Sequence, residues 1–293
     1  MSASTSLAAS PARGPAGTSG RLRLGRPAVR TFANTPRPAP TAYELRLVTD
    51  FLDGFGVPLD LDLYARGGGN SFAHMGKELL DGLEHPLAPL DHAVLAYHLP
   101  DPELAEVAGC RLAELCPGDP DAFSVSEQGP GATFTALRIL DCMCLAGEPA
   151  AAAVFVFDHA TVFYRDPETH DGSVGDCAVL LRTEPADTHD GADGATVDLL
   201  DESTTADPND ALEALALRAP GTAIVAGRAL ADRLRPDVRE RLGVVEGPAH
   251  RFCTSAWSAL ADRWPLDRYT VVADYDPPTG RLFQAGLRPG GQG

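Results

Sequence analysis

Cys253 and His250 are the two residues whose types and spacing best suit nucleophilic catalysis. A cysteine attacks as its thiolate, which a neighbouring histidine or another positive group stabilises. A free cysteine is also commonly a small buried apolar residue, and this second role requires no partner. The spacing therefore leaves two interpretations open, a Cys/His nucleophile pair and a buried structural thiol.

Other cysteines and histidines are interpreted as structural. Cys142 and Cys144 lie two apart on a predicted helix and point to different faces, which does not suit one metal ion, so we expect both in the core. His92, His98 and His159 lie at the ends of predicted strands, where active sites of α/β sheets often gather. The sequence shows no nucleophile beside them, and we interpret them as surface or hydrogen-bonded residues.

The acidic segment from Glu184 to Ala206 contains the closely spaced carboxylates of Asp187, Asp190 and Asp193, which are the ligand type of a calcium loop,. The glycine and the terminal glutamate of an EF-hand loop do not fall at the required positions. The glycine run at Arg66–Gly69 lacks the Lys and Ser/Thr of a phosphate loop. We therefore expect no metal ion and no cofactor.

Length and composition set the class of protein. A chain of 293 residues with 44% hydrophobic content can bury a full core,. Six dispersed cysteines favour reduced thiols, and hence a cytoplasmic protein, over a disulfide framework,. The net charge of -17 argues against nucleic acid and anionic membranes as partners,.

Residues 1–20 are rich in Ala, Ser, Gly and Pro without a continuous apolar segment, which predicts a disordered leader and not a signal peptide. No later run is long enough to span a bilayer. The densest basic stretch, interpreted as a solvated tail, comprises Arg21, Arg23, Arg26, Arg30 and Arg37,.

From about Thr41 the hydrophobic pattern alternates between helix and strand, which predicts an α/β architecture. The predicted helices are Tyr43–Phe55, Ser71–Leu83, Pro102–Leu115, Pro130–Leu145, Asn209–Leu217, Leu230–Leu242 and Thr254–Trp264. The predicted strands are Asp91–Tyr97, Ala122–Val125, Ala152–Phe157, Asp176–Leu181, Val197–Leu200 and Thr222–Ala226, with a final hairpin of Thr270–Ala273 and Arg281–Ala285.

Four weak motifs fall in an order and spacing that resemble the ketosynthase III-type condensing enzymes. Ser124–Leu137, a small-residue turn that leads from a strand into a buried helix, is similar to the nucleophile turn of that family. Ala153–Asp158 resembles its next core strand, and Gly175–Ala178 its Gly-Asp-Gly-Ala signature. Leu90–Asp91, with the Pro-Asp step near residue 100, matches two further positions. Later, Thr254-Ser-Ala256 resembles the family's Asn-Thr-Ser-Ala segment.

The resemblance implies a thiolase-like fold: two related α/β halves in a five-layer αβαβα arrangement, with the active site between them. The predicted halves are residues 21–182 and 183–293, of which the second is shortened.

The resemblance also implies that the catalytic groups are missing. The family's cysteine nucleophile lies at the amino end of the central helix, where Pro130 stands here. Proline fits the first turn of a helix, but supplies neither a thiol nor an N–H for an oxyanion hole. Ala226 stands for the catalytic His, Cys253 for the Asn, and Asp274–Gly280 for the glycine-rich loop. Glu127 and Gln128 flank the vacant position and are predicted to line any residual substrate pocket.

The leading hypothesis is thus a non-catalytic ketosynthase III-like subunit, an inactive homologue of 3-oxoacyl-ACP synthase III. It would pair with a catalytic ketosynthase III-like homologue in polyketide, fatty-acyl or quinolone-type biosynthesis, as a hetero- or homodimer, and meet acyl-ACP or acyl-CoA through that partner. The alternatives are a stand-alone acyltransferase or condensing enzyme with a rearranged site that acts on acyl-CoA or acyl-ACP, and a ligand-binding scaffold.

Overall fold

The computed structural model describes residues 22–33, 39–66, 69–103, 106–166, 174–186 and 194–290. The expected leader at 1–20, Arg21, Arg37 and the three aspartates of the acidic segment lie outside these residues. The helices are α1 Ala42–Phe55, α2 Leu61–Arg66, α3 Phe72–Asp81, α4 Ala108–Leu115, α5 Ala132–Ala146, α6 Pro208–Arg218, α7 Arg228–Ala231, α8 Pro236–Leu242 and α9 Ser255–Asp262. The strands are β1 Leu22–Leu24, β2 Ala28–Thr31, β3 His92–Tyr97, β4 Asp121–Val125, β5 Ala152–Asp158, β6 Cys177–Pro185, β7 Ala195–Thr204, β8 Ala223–Ala226, β9 Val245–Glu246, β10 Thr270–Asp276 and β11 Arg281–Pro289.

The strand pairings repeat in the two parts of the chain. In the first part the order is β4-β3-β5-β6, with β1 and β2 beside β6, and in the second it is β9-β8-β10-β11-β7. In each part, three parallel strands lie side by side and two antiparallel strands follow them in the sheet. The last of these strands, β1 in the first part and β7 in the second, is the one that comes first along the chain. β1 also pairs with β7 and joins the two. This repetition is the two-half arrangement that the sequence motifs implied.

Three apolar clusters arrange the halves in five layers. One lies between the first half's sheet and the outer helices α3 and α4. A second holds α5 and α9 between the sheets of both halves. The third lies between the second half's sheet and the outer helices that include α6 and α7. The predicted αβαβα layering is therefore present.

Alternation along β5 shows how the sequence produces these layers. Val154 and Val156 face the central helices, whereas Phe155 and Phe157 face α3 and α4. A strand buried on both faces needs apolar residues at every position, because successive side chains point to opposite sides. The continuous apolar run from Ala152 to Phe157 meets that need, and every residue of β5, including Asp158 at its end, is buried.

The basic stretch near the start is not wholly a solvated tail, which corrects the sequence-based expectation. Arg23 lies in β1 and Arg30 in β2, and both strands belong to the central sheet. The apolar residues Leu22 and Leu24 are fully buried beside Arg23. This strand has only 3 residues, too few to distinguish it from a tail by periodicity,.

Two predicted helices have different bounds. The helix expected from Pro102 begins at Ala108, since the Asp101 carboxylate caps a turn by accepting from the Glu103 amide at 3.0 Å. The helix expected over Leu230–Leu242 is two, α7 and α8, because Pro236 has no N–H for a continuous helix and starts a new one,. The expected division of the halves after Arg182 falls inside β6, which runs to Pro185.

Within the described ranges, no helix combines the length and the apolarity that crossing a bilayer requires.

Candidate active site

The turn before α5 is the element that the motifs single out. After β4 the chain turns through Glu127, whose φ of 59° is in the left-handed region, and Gly129–Gly131 form one 3-10 turn that leads into α5. Pro130 is buried in this turn and has no amide hydrogen,. No side chain caps α5. The amino end of the central helix thus lacks both a nucleophile and the donor that position 130 would otherwise offer.

Gly129 is the residue that faces the second half. Its φ is 53°, and a Cβ built there would lie 3.2 Å from Oδ1 of Asp276 and 3.9 Å from Cζ of Phe252. A side chain pointing across the interface would therefore come from position 129. The motif had assigned the family's nucleophile to the next residue, Pro130. Neither residue carries a nucleophilic group, and a carboxylate lies beside the position where one would begin.

Cys253 reaches the same turn from the second half. It stands just before α9, is 1% exposed, and its Sγ donates to the Gly129 carbonyl at 3.4 Å. The amino ends of α5 and α9, one from each half, therefore meet through this contact. The thiol is a hydrogen-bond donor here and not an anion.

Burial is the main reason why the pKa of Cys253 is raised well above its ordinary value of 9.0. The carboxylates of Asp158 and Asp274 raise this pKa further, and a backbone hydrogen bond with His98 lowers it without offsetting the rest. Nucleophilic cysteines need the opposite environment, with positive charge or helix dipoles that stabilise the thiolate. Cys253 consequently remains a thiol at neutral pH.

His250 does not complete a Cys/His pair with Cys253. It is exposed, and its carbonyl accepts from the Gly175 amide at 3.0 Å. The histidine ring near this position is that of His98, whose centroid lies 5.1 Å from that of Phe252 and whose Nε2 lies 3.3 Å from Oδ1 of Asp166. The side chain of His98 is therefore directed to Asp166, and sequence proximity had suggested the wrong histidine.

Asp158 of the first half forms hydrogen bonds with the second half at this site. Its carboxylate, at the end of β5, accepts from the amides of Phe252, Cys253 and Thr254 at 2.7, 2.7 and 2.9 Å, and from the Thr254 hydroxyl at 2.5 Å. These groups lie at the amino end of α9, where a helix favours a negative charge. Burial nevertheless raises the pKa of Asp158, although all four donors lower it.

Ala226 does not face the site, which corrects its assignment to the position of the catalytic histidine. Val225 packs in the central layer, and because side chains alternate along β8, Ala226 packs in the outer cluster instead,. The next residue, Gly227, lies against Asp274, and a Cβ there would overlap the Asp274 carboxylate. The second half therefore presents a buried carboxylate at this point.

Asp274 is 1% exposed and accepts from the amides of Leu230 and Tyr275 at 3.1 and 2.9 Å. Burial raises its pKa from 3.8 to about 7, with the two amides acting in the opposite direction. Asp274 and Asp276 were assigned to a loop that replaces the glycine-rich loop, but both lie in β10, which runs to Asp276. Sequence inspection recorded the loss of glycines but missed that two carboxylates point into the interface.

Glu127 and Gln128 have different surroundings. Glu127 is exposed in its left-handed turn, near enough to Tyr164 to help raise that phenol's pKa, which burial raises most. Gln128 is half-buried, and its Oε1 accepts from the Thr135 hydroxyl at 2.5 Å. Gln128 thus braces the first turn of α5.

The other predicted structural residues mostly have structural contacts. His92 Nε2 lies 3.1 Å from the Pro149 carbonyl, and buried His159 accepts from the Thr161 amide at 3.1 Å. Cys144 is partly buried, but Cys142 is exposed, so its assignment to the core was wrong. Among the residues that the structure describes, no three His, Cys, Asp or Glu side chains are placed to hold a metal ion.

Comparisons identify the fold. No family model matches the chain, and no curated protein matches its sequence. Among solved structures, the tetronic acid condensing enzyme AbyA1 is similar with a TM-score of 0.59 and 14% identity, over 91% of this chain and 99% of that one. The 3-oxoacyl-(acyl carrier protein) synthase III, FabH, from Pseudomonas aeruginosa PAO1 has a TM-score of 0.58 and 16% identity, over 92% and 98%. OleA from Xanthomonas campestris has a TM-score of 0.57 and 11% identity, over 92% and 98%.

The chain therefore has the thiolase-like fold of the ketosynthase III-type condensing enzymes, as the four motifs predicted. The similarity extends over nearly the whole of each chain, so both halves are included.

Proposed function

We propose that this protein is a non-catalytic ketosynthase III-like subunit that pairs with a catalytic condensing enzyme of the same fold. The observation that carries the proposal is the start of α5, where neither Gly129, which faces the second half, nor Pro130 has a side chain that could attack a thioester,. The fold is kept while the group that would form the acyl-enzyme bond is missing.

Electrostatics at the interface support the same conclusion. Acyl transfer and decarboxylative condensation both build negative charge, on a thiolate, an oxyanion or an enolate. The interface instead holds the carboxyl groups of Asp158, Asp274 and Asp276, each at most 7% exposed. Burial raises the pKa of Asp158 and brings that of Asp274 to about 7, which shows that the interface favours the neutral form of an acidic group over its anion,. These groups oppose the intermediates that a catalytic site must stabilise.

A surface suited to a partner lies at one end of the sheet. β4 is the terminal strand, its pairing within the described residues is with β3 alone, and its exposed edge leaves backbone groups available. Beside it α5 exposes Ile139 and Leu145, at 38% and 56%. An open edge flanked by apolar side chains favours the addition of another chain's strand. We infer that the catalytic homologue binds here.

Co-expression tests the pairing. A tagged copy of this chain, produced together with an intact ketosynthase III-like homologue from the same genome, should co-purify with it as a stable complex that contains equal amounts of the two chains. Leu145→Asp should weaken co-purification, whereas the matched control Leu217→Asp, on α6 at 83% exposure, should leave it unchanged. A monodisperse monomer that binds no homologue, or one that transfers acyl groups by itself, would contradict the proposal and favour the stand-alone acyltransferase.

A further inference from the structure

Helix α1 carries an exposed apolar ridge. Tyr43, Leu47, Phe51 and Phe55, called here the α1 ridge, are 73%, 42%, 61% and 71% exposed. They follow one another at four-residue spacing, so they form a single row along the helix. The rings of Phe51 and Phe55 are 5.1 Å apart. Four large apolar side chains in one row are a patch of the kind that marks an interaction site.

The helix that carries the ridge is held firmly. Thr41 and Glu44 form a capping box at its amino end. On its inner face Val48 and Leu52 are buried in a cluster with Tyr64. The ridge is therefore presented on a fixed helix, so its binding would not require the helix to fold first.

The size of the α1 ridge matches a small symmetric interface. Its four side chains expose roughly 500 Å² of largely apolar surface, given the 150–250 Å² that an aromatic side chain can bury. Two copies packed ridge to ridge would bury about 1,000 Å², which is the lower bound for a specific protein–protein interface.

The spacing of the ridge is self-complementary. Rows of residues four apart on two helices pack together when the helices cross at about 50°. In an antiparallel crossing about a two-fold axis, Tyr43 lies towards Phe55 of the second copy and Leu47 towards Phe51 of the second copy. Such an isologous contact uses the same patch on both copies and closes on itself.

The outer flank of the ridge carries Arg46, Asp50 and Asp53, of which the first two are complementary in the same arrangement. Arg46 and Asp50 are both exposed, and neither forms an ion pair or side-chain hydrogen bond among the described residues. In a two-fold antiparallel pair of helices, the outer flank of one helix lies beside the outer flank of the other, and the two flanks run in opposite directions. Arg46 of one copy therefore faces Asp50 of the other, twice per dimer.

From these observations we propose that the α1 ridge binds the α1 ridge of a second copy of this chain in an antiparallel, two-fold symmetric contact. This contact is separate from the β4 edge, so it would join two proposed heterodimers, or two free copies, without displacing a catalytic partner.

A charge exchange tests the proposal with the full chain by sedimentation velocity. The unsubstituted chain should dimerise with rising concentration. Arg46→Asp and Asp50→Arg each place like charges opposite one another and should weaken dimerisation about tenfold. An equimolar mixture of the two variants restores both opposite-charge pairs and should dimerise again, as should the double variant.

Apolar variants provide the matched controls. Phe51→Ser should abolish dimerisation, and Leu217→Ser, on exposed α6, should not. A chain that stays monomeric at every concentration, or a mixture that associates no better than its components, would overturn the proposal. The proposal would also be overturned if the Arg46→Asp variant no longer co-purified with the catalytic homologue, since the ridge would then bind that partner. If Arg46→Asp keeps the homologue and loses only self-association, both proposals stand.

Discussion

Cys253 shows how an interface between two halves determines what a thiol can do. The residue reaches the amino end of the central helix, yet it donates to the Gly129 carbonyl and lies among buried carboxyl groups. Those surroundings stabilise the thiol over the thiolate. Proximity to a helix end is therefore insufficient for reactivity when burial and negative charge act in the other direction.

Asp274 makes stability depend on pH. Burial raises its pKa to about 7 in the folded protein, against 3.8 for an ordinary aspartate. Between these values the native state holds a proton that the unfolded chain has released, so stability falls as pH rises from about 4 to about 7 and then levels. Asp274→Asn keeps the acceptor for Leu230 and Tyr275 and removes this dependence. The difference in free energy of unfolding between the variant and the unsubstituted chain should shift by about 2 to 4 kcal/mol in favour of the variant from pH 4 to pH 8.

Urea unfolding at several pH values measures that gain. Asp267→Asn is the control, because Asp267 is exposed and its pKa is lowered by Arg268. The free energy of unfolding of the Asp267→Asn variant should differ from that of the unsubstituted chain by the same amount at every pH from 5 to 8. Equal pH slopes for the Asp274→Asn variant and the unsubstituted chain would contradict the assigned protonation.

At the residue level the sequence predicted which segments meet but not which side chains face each other. Cys253, which was assigned to the place of the family's Asn, has its Sγ against the Gly129 carbonyl. Ala226, which was assigned to the place of the catalytic His, packs in the outer cluster, because a shift of one residue along β8 turns a side chain to the opposite layer,. The roles of Asp274 and Asp276 depend on the approach of the two halves, to which no local pattern corresponds.

At the level of elements, β5 and α9 form the strongest polar link between the halves. Asp158 accepts four hydrogen bonds from the amino end of α9. A buried carboxylate in such a position replaces hydration with fixed donors, and its removal leaves three buried amides without a partner.

Asp158→Ala should therefore lower the free energy of unfolding by roughly 3 to 5 kcal/mol. Thr254→Val, which removes one of the four donors, should cost only about 1 kcal/mol. Urea unfolding followed by circular dichroism measures both. If the alanine variant loses no more than the valine variant, the link between the halves does not depend on this carboxylate.

Long helices and buried strands were predictable from the sequence because they have clear periodicity or a continuous apolar run. The predicted Tyr43–Phe55 helix and α1 Ala42–Phe55 agree to within one residue. β1 and β2 were missed because they are short and basic. The strand expected at Val197–Leu200 extends over Ala195–Thr204, since its partly exposed polar positions pair with β11.

At the scale of the whole molecule, the repeated strand order places the two halves face to face, with α5 and α9 between the sheets. The charge of -17 is distributed over a chain with pI of about 4.7. An acidic surface disfavours encounter with acidic carrier proteins, whose field it repels. That balance is consistent with the proposal that the catalytic partner meets the acyl carrier.

The most direct test of the missing nucleophile is intact-protein mass spectrometry after incubation with acetyl-CoA, malonyl-CoA and octanoyl-CoA. A variant with both exposed cysteines replaced, Cys110→Ala and Cys142→Ala, is the control for adventitious acylation. We expect no thioester adduct beyond any that disappears in this variant. An adduct that maps to Cys253 and disappears in Cys253→Ala would contradict this expectation and identify an acyltransferase.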